Sequence, residues 1–285
     1  MDEQLQTNRR AWDEMTERHV RGSSGYRVED FKAGRSGVEP NIPDDIGSVK
    51  GKSILHLQCH FGMDSLMWVR QGARVTGVDF SPKAVAEARK LAAEVGLEAE
   101  FIESDIAALP DVLSGEFDIV LTYYGTIPWL PDIKRWGEVV ARFLKPGGFL
   151  YLADTHPIAN LYDVRKGEQA LTLARPYFTR GKAERCETGS GTYAAPDTPR
   201  SQKVTFEWQH TLGDIVDSLV GAGLGIDYLH EFPHTFYDMF YHAKLSPMCR
   251  DEAGWWRLRD MPDGLPLMFS LKATKPKRKQ SPSGT

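Results

Sequence analysis

Two stretches decide the fold: Ser53-Ile-Leu-His-Leu-Gln-Cys-His-Phe-Gly62, and Arg74-Val-Thr-Gly-Val-Asp-Phe-Ser-Pro82. Ser53 to Leu57 is a short apolar strand punctuated by Phe61-Gly62, and Asp64 to Arg70 can form a helix. Arg74 to Asp79 is a second strand. Ser81-Pro82 then starts a helix, because serine caps free amides and proline fits the first helical position. Val85, Ala88, Leu91, Ala92 and Val95 recur at helical spacing, and Gly96 ends the run.

The alternation continues outward. Ala99 to Glu103 and Phe117 to Tyr123 are further strands. Ile133, Trp136, Val140 and Phe143 line a helical face closed by Lys145-Pro-Gly-Gly148, and Phe149 to Asp154 is a fifth strand. Strands alternating with helices imply an α/β fold whose parallel sheet is covered on both faces. Residues 1–20 read as an amphipathic helix with Leu5, Trp12, Met15 and His19 near one face. Residues 21–50 read as loop, with Gly22, Gly25, Gly34, Gly37, Pro40 and Pro43. Residues 156–209 show no period, and a stretch this long between core elements usually carries function. Thr211 to Asp214 has the form of a capping box ahead of a helix with Ile215, Val216, Leu219 and Val220. Ile226–His230 and Leu267–Ala273 complete the strands. The division expected is an N-terminal cap over 1–50, a main domain over 51–275 with a substrate-side insert at 156–209, and a disordered tail over 276–285.

Composition bounds the function. The 285 residues carry 35 Lys+Arg against 39 Asp+Glu, a net charge of −4, with 41% hydrophobic residues, as in ordinary globular proteins. The tail from Lys272 holds five basic residues and no acid, leaving about −9 for the rest, a poor surface for nucleic acid. No apolar run reaches membrane-spanning length. The polar N-terminus predicts no secretion signal. Cys59, Cys186 and Cys249 form neither a metal pattern nor a disulfide framework, so a reducing cytoplasm is expected.

In an open α/β sheet, ligands bind beyond the carboxyl ends of the strands. That rule selects Gln58, Cys59, His60, Phe61 and Gly62; then Asp79, Phe80 and Ser81; then Asp105 and Ile106; then Tyr123, Tyr124, Gly125 and Thr126; and finally Asp154, Thr155 and His156. Asp79 lies 17 positions after Gly62, where an acid can accept both hydroxyls of a ribose. Phe80 offers a flat surface for adenine, Asp105 an acceptor for an exocyclic amine, and Gly62 a bare backbone. Together they describe an adenosine site. The first loop has one glycine and no Lys or Arg, and no G-x-x-x-x-G-K-[ST] occurs, so the site suits a cofactor without phosphate.

These residues resemble the class I S-adenosylmethionine-dependent methyltransferases, in particular a bacterial small-molecule subgroup. The likeness runs through Ile54–Gly62, Val75–Pro82, Asp105, Phe117–Val120 and Leu144–Gly148, and Trp12, His19 and Tyr26 are similar to that subgroup's N-terminal segment. The resemblance implies a Rossmann-like seven-stranded, mostly parallel sheet with an antiparallel last strand. It implies S-adenosylmethionine as cofactor, with Asp79 on the ribose, Phe80 and Ile106 flanking adenine, and Asp105 at its amine. The Gln58–Gly62 loop, with Cys59 in it, would hold the methionine part. Tyr26, Asp64, Ser81 and Tyr123 complete the expected cofactor set. The pattern departs from the family at three places: His56 replaces the usual acid of the first strand, and Gln58 and His60 replace two glycines. Either Gln58 or His60 could meet the cofactor carboxylate, or both histidines could be packing residues.

Methyl transfer is an in-line displacement that depends on placement, with a base needed only when the nucleophile arrives protonated. His156, just past the fifth strand, is the first candidate base, against a plain loop histidine. Tyr124 is a candidate to orient the substrate. Tyr26, Trp129, Trp208, His210, His234, Tyr237 and His242 form an aromatic and histidine-rich set suited to a closed pocket for an organic molecule. The first reading is therefore methyl transfer to an O or N of a small organic molecule by a monomer or homodimer, without metal, nucleic acid or membrane. An RNA or protein target on the same fold, a nicotinamide dehydrogenase, and a non-catalytic interaction protein are the alternatives.

Overall fold

The computed structural model describes residues 2–21, 24–35, 45–164, 170–187, 191–243 and 245–277. The loop positions Gly22, Gly37, Pro40 and Pro43, and the tail from Arg278 onward, lie outside them. The core is one seven-stranded sheet. Its strands are β1 (Ser53–Leu57), β2 (Arg74–Asp79), β3 (Glu100–Glu103), β4 (Phe117–Tyr123), β5 (Leu144–Thr155), β10 (Gly225–Phe232) and β13 (Met268–Thr274), in the spatial order β10-β13-β5-β4-β1-β2-β3. β1, β2, β3, β4 and β5 pair in parallel. β13 runs antiparallel to both β5 and β10. The reversed strand is thus the last in the chain, as expected.

Both faces are covered, which explains why the strands read as continuous apolar runs rather than alternating ones. Leu55, Leu57, Val120, Leu150, Leu152, Phe269 and Leu271 pack against Trp136, Val140 and Phe143 of one helix (Ile133–Phe143) and Ile215 and Leu219 of another (Leu212–Gly221). On the opposite face, Ile54, Val75, Ile119, Leu121 and Tyr151 pack with Trp68 of the helix Met63–Arg70. The local punctuation holds. Ser81 accepts from the Ala84 amide ahead of the helix Pro82–Val95, Gly96 closes that helix in the left-handed region, and Thr211 and Asp214 exchange both bonds of a capping box. One boundary moves: β5 starts at Leu144, because Lys145 to Gly148 run on as strand and Leu144 pairs with Phe117.

The stretch without a sequence period contains two hairpins. β6 (Tyr162–Val164) pairs with β7 (Leu171–Leu173), and β8 (Ala183–Glu187) with β9 (Val204–Trp208). A further small pair joins β11 (Met248–Arg250) to β12 (Trp256–Leu258). The N-terminal helix α1 (Glu3–His19) packs on β9. The fully buried Asn8 side chain donates to the Phe206 carbonyl at 2.7 Å and accepts from its amide at 2.8 Å, so an asparagine stands in for a neighbouring strand. On its other side α1 reaches the sheet-side helix, where Ser81 donates to Asp13 at 2.6 Å and Lys83 pairs with Glu17.

Gly137 marks the closest approach of the two helices on the first face. A Cβ there would sit 2.5 Å from the Ser218 carbonyl oxygen and 2.8 Å from its carbon. Alanine would gain about 1 kcal/mol of helix propensity over glycine. Overpacking against backbone costs about 1–3 kcal/mol and has no flexible side chain to absorb it. Gly137→Ala is therefore expected to lower stability in urea-unfolding measurements, despite the propensity gain.

Candidate functional site

The turn between β1 and the helix Met63–Arg70 takes three left-handed residues: Gln58 at φ 54°, His60 at 51° and Gly62 at 73°. Glycine adopts this region freely; glutamine and histidine do so against a steric cost. The two positions where the sequence departs from glycine thus keep glycine's backbone path and add a side chain to it. Gly62 has a packing reason to be bare as well: a Cβ on it would meet the Phe101 ring at 2.6 Å and the Ala88 methyl at 2.8 Å, so its hydrogen serves helix–strand packing.

Asp79 ends β2 beneath this turn. Its Oδ2 accepts the His60 amide at 2.8 Å and its Oδ1 the Ser81 amide at 2.9 Å. Burial pushes its carboxyl up to about 6, against the pull of those two amides. The Phe80 amide acts on it too, which leaves one of its four lone-pair sites open. Phe80 beside it is half-buried, and Ser81 is buried beneath α1. Asp105 follows β3 and accepts the Ala107 amide at 2.7 Å, while Ile106 is buried in the first core cluster. Cys59 continues the ladder with its amide on the Val78 carbonyl at 2.9 Å, and burial raises its thiol well above the usual range.

Above the turn lies a chain of polar contacts that ends in an open position. His60 Nε2 lies 2.9 Å from His19 Nδ1, and His19 Nε2 lies 2.8 Å from Thr192 Oγ1. Thr192 Oγ1 already accepts the Ala195 amide at 3.0 Å. Its own buried proton must be given away, and His19 Nε2 is the acceptor at hand. The polarity then runs from Thr192 to His19 to His60, which leaves the proton of His60 on Nδ1. Among the described residues that buried atom has no partner. Burial, with His19 beside it, holds His60 well below its ordinary value, and burial with Arg200 and Arg18 drives His19 down to about 3, so both rings are neutral. Gln58 donates to the Thr126 carbonyl at 3.0 Å and leaves its buried Oε1 open. The Trp12 indole N–H is buried and open as well.

Aromatic rings enclose these atoms. Trp12 stands edge-on to His60 at 5.3 Å and to Trp129 at 5.2 Å. Tyr26 packs on His60 and Phe61, shares a hydroxyl contact with Tyr193, and Tyr193 in turn meets Tyr237 at 5.7 Å. The charge of Asp64 is felt by both Tyr26 and Tyr193. Tyr124 lies on Phe236 at 4.1 Å. Of the aromatic and histidine set expected from sequence, Tyr26, Trp129 and Tyr237 come together here. The others are engaged elsewhere: Trp208 is buried in β9, His210 bonds the Leu130 carbonyl, His234 lies on Trp255 and His242 pairs with Asp163.

Two expected positions, and His56 beside them, are engaged in the scaffold. His156 is 1% exposed; its Nδ1 accepts the Ile158 amide at 3.1 Å and its Nε2 bonds Glu231 at 2.9 Å, so neither nitrogen is left to take a substrate proton. Tyr123 turns its hydroxyl inward to accept from Trp68 at 2.6 Å and stacks on His56. His56 bonds Ser65 at 2.8 Å, and burial drives it down to about 4. Asp154, given no role by sequence, accepts five bonds: the amides of Gly125, Thr126, Ile127 and Thr155, and the Thr126 hydroxyl. It fixes the loop after β4. An acid closing an apolar strand was the available signal for it. Trp12 and His19, seven residues apart on one helix, were also legible, whereas Thr192 and Tyr193 gave none. Among the described residues no group of three or more His, Cys, Asp or Glu could hold a metal, and no helix is long and apolar enough to cross a membrane.

Comparison with known proteins agrees with this architecture. A family profile described as a methyltransferase domain matches residues 54–148. The chain is 30% identical over 112 residues to the ubiquinone biosynthesis O-methyltransferase of Cronobacter sakazakii, covering 39% of this chain and 46% of that one. It is 32% identical over 131 residues to the enzyme of the same name from Nitrosococcus oceani, covering 44% and 54%. The matches thus span about half the length of these curated relatives. Among solved structures, an S-adenosylmethionine-dependent methyltransferase from Mesorhizobium loti superposes with a TM-score of 0.56 at 22% identity, over 83% of this chain and 96% of that one. A glycopeptide N-methyltransferase complexed with S-adenosylmethionine superposes at 0.52 and 17% identity, over 82% and 91%. Both likenesses establish the fold. The chain thus carries a methyltransferase domain over residues 54–148, and its fold is that of S-adenosylmethionine-dependent methyltransferases.

The cofactor of that class is a zwitterion joined to a nucleoside without phosphate, and the residues at the strand ends fit it. Asp79 has a lone pair left for a hydroxyl, Gln58 Oε1 is an open acceptor, and His60 Nδ1 is an open donor. The His19–His60 arrangement can be checked directly. Nitrogen-15 spectra should show both rings in the Nδ1–H tautomer, with neither titrating between pH 5 and 8. An Nε2–H tautomer at His60 would reverse the polarity of the Thr192–His19–His60 chain.

Proposed function

We propose that the chain transfers a methyl group from S-adenosylmethionine to an oxygen or nitrogen of a small organic molecule. The observation that carries this reading is the polar set of buried Asp79 with the buried, open Oε1 of half-buried Gln58 and Nδ1 of half-buried His60, in a turn without Lys or Arg and roofed by aromatic rings. When bound, the cofactor supplies an electrophilic methyl on a sulfonium.

In this reading Asp79 accepts the ribose hydroxyls, and Phe80 and Ile106 flank the adenine. Asp105 takes its exocyclic amine with the oxygen not used by Ala107, and Ser81 supports Asp79 through its amide. Gln58 Oε1 and His60 Nδ1–H meet the ammonium and carboxylate of the methionine part, with the Cys59–Gly62 backbone beneath them. Tyr26, Asp64 and Trp12 close this end, and electron-rich rings near a sulfonium stabilise its charge. Tyr124 orients the acceptor beside Phe236. The relatives are O-methyltransferases by name, so a hydroxyl is the first acceptor to test. The enclosing rings suit a small organic acceptor.

The direct test is tritium transfer from labelled S-adenosylmethionine to a panel of phenols, alcohols and amines, with calorimetry of cofactor binding. Cofactor binding without transfer to any member would favour a non-catalytic protein. Protonated Asp79 loses an acceptor for the ribose hydroxyls, and those hydroxyls lower its carboxyl on binding. Affinity should therefore be full above about pH 6 and fall as pH drops through it. Asp79→Ala should bind the cofactor weakly and with a flat pH profile. A general base contributes roughly 10²–10⁴ in rate. Because His156 is engaged on both nitrogens, His156→Gln should keep kcat within about threefold of wild type; a loss in the range of a general base would restore the role expected from sequence.

A further inference from the structure

Arg200 is 6% exposed and lies just ahead of β9, where the neighbouring backbone is tied to α1. Its Nη1 meets Met15 Sδ at 3.3 Å, a weak acceptor, and among the described residues its buried Nε has no partner. Among the described residues no carboxylate stands within ion-pair distance of it. The nearby Glu14 is saturated: Arg18, the Ser201 amide, the Ser201 hydroxyl and the Gln202 amide fill its four lone-pair sites at 2.7–2.9 Å. Glu207, also within its field, is bonded by Cys186 and lies in the fields of Arg175 and Glu184.

A guanidinium keeps its charge, and burying it unpaired is costly unless something else completes the pair. Its contact Met15 lies one turn from both Trp12 and His19 on the same side of α1, which sets Arg200 beside the ring enclosure. His19 and Tyr241 both feel its charge, and Tyr241 in turn acts on Tyr193 and Tyr237. We infer that Arg200 anchors a carboxylate of the acceptor, so that the small molecule is an organic acid held by its charged end while the rings hold its body. The inference rests on the methyl-transfer reading for calling that molecule the acceptor; the anion site itself does not depend on it. The planar fork of arginine matches a carboxylate through two parallel bonds, which a lysine would not reproduce.

The test uses the full chain, with and without S-adenosylhomocysteine, and calorimetric titration of matched probes: benzoate, 4-hydroxybenzoate and 3,4-dihydroxybenzoate against their amides, and phenyl phosphate. The acids should bind at least about tenfold more tightly than the amides. Arg200→Met should abolish that preference, Arg200→Lys should retain part of it, and S-adenosylhomocysteine affinity should change less than about twofold in both. The acid–amide comparison on wild type needs no variant, so a misfolded Arg200→Met would leave the test standing. Equal binding of acids and amides, no binding of any acid, survival of the preference in a folded Arg200→Met, or tighter binding of phenyl phosphate would each overturn the proposal. Loss of S-adenosylhomocysteine binding with the acid preference intact would instead remove the methyl-transfer reading and keep the anion site.

Discussion

The structure depends on one buried carboxylate. Asp79 joins the end of β2 to the β1 turn through the His60 amide and to the next helix through the Ser81 amide. Burial raises its carboxyl from 3.8 to about 6, so its charged form costs the unliganded fold roughly 3 kcal/mol above that pH. The sign follows from linkage: the cost is absent below about 3.8, where the group is protonated folded or unfolded, and complete above about 6. A fold retains such a group when it gains something by it. Here the gain is a fixed turn whose amide, ring and carboxamide all converge on one side of the sheet, over the strand ends.

The parts of this arrangement that were legible in the sequence are those set by neighbours in the chain. Strands buried on both faces announce themselves as apolar runs, and helix ends such as Ser81-Pro82 and Thr211–Asp214 carry their caps within three residues. The rule that ligands gather at the carboxyl ends of strands then selected Gln58, Asp79 and Asp105. The hairpins of the insert were not legible, because their strands are three to five residues long and mostly half-exposed, and the last of them is paired by Asn8 from 198 residues away.

The same separation hid the histidine chain. His60 is held by His19 and His19 by Thr192, across 41 and 173 residues. His156 shows the converse. Its position past β5 suggested chemistry, but one lone pair goes to an amide two residues on and the other nitrogen to Glu231, 75 residues later on β10. A histidine's availability is a property of its surroundings, and those are assembled only in three dimensions. Gly62 makes the point for packing: the absent side chain faces Phe101 of β3, a contact that no spacing within the first loop records.

The N-terminal helix is sewn along both of its flanks. One flank holds the insert through Asn8, Glu14, Arg18 and His19, and the other holds the sheet-side elements through Arg9, Asp13 and Glu17. Parting it from either side breaks several bonds together, including the buried pair made by Asn8. The pairing is therefore cooperative, and the His19–His60 contact depends on a helix in which no residue of the matched domain lies.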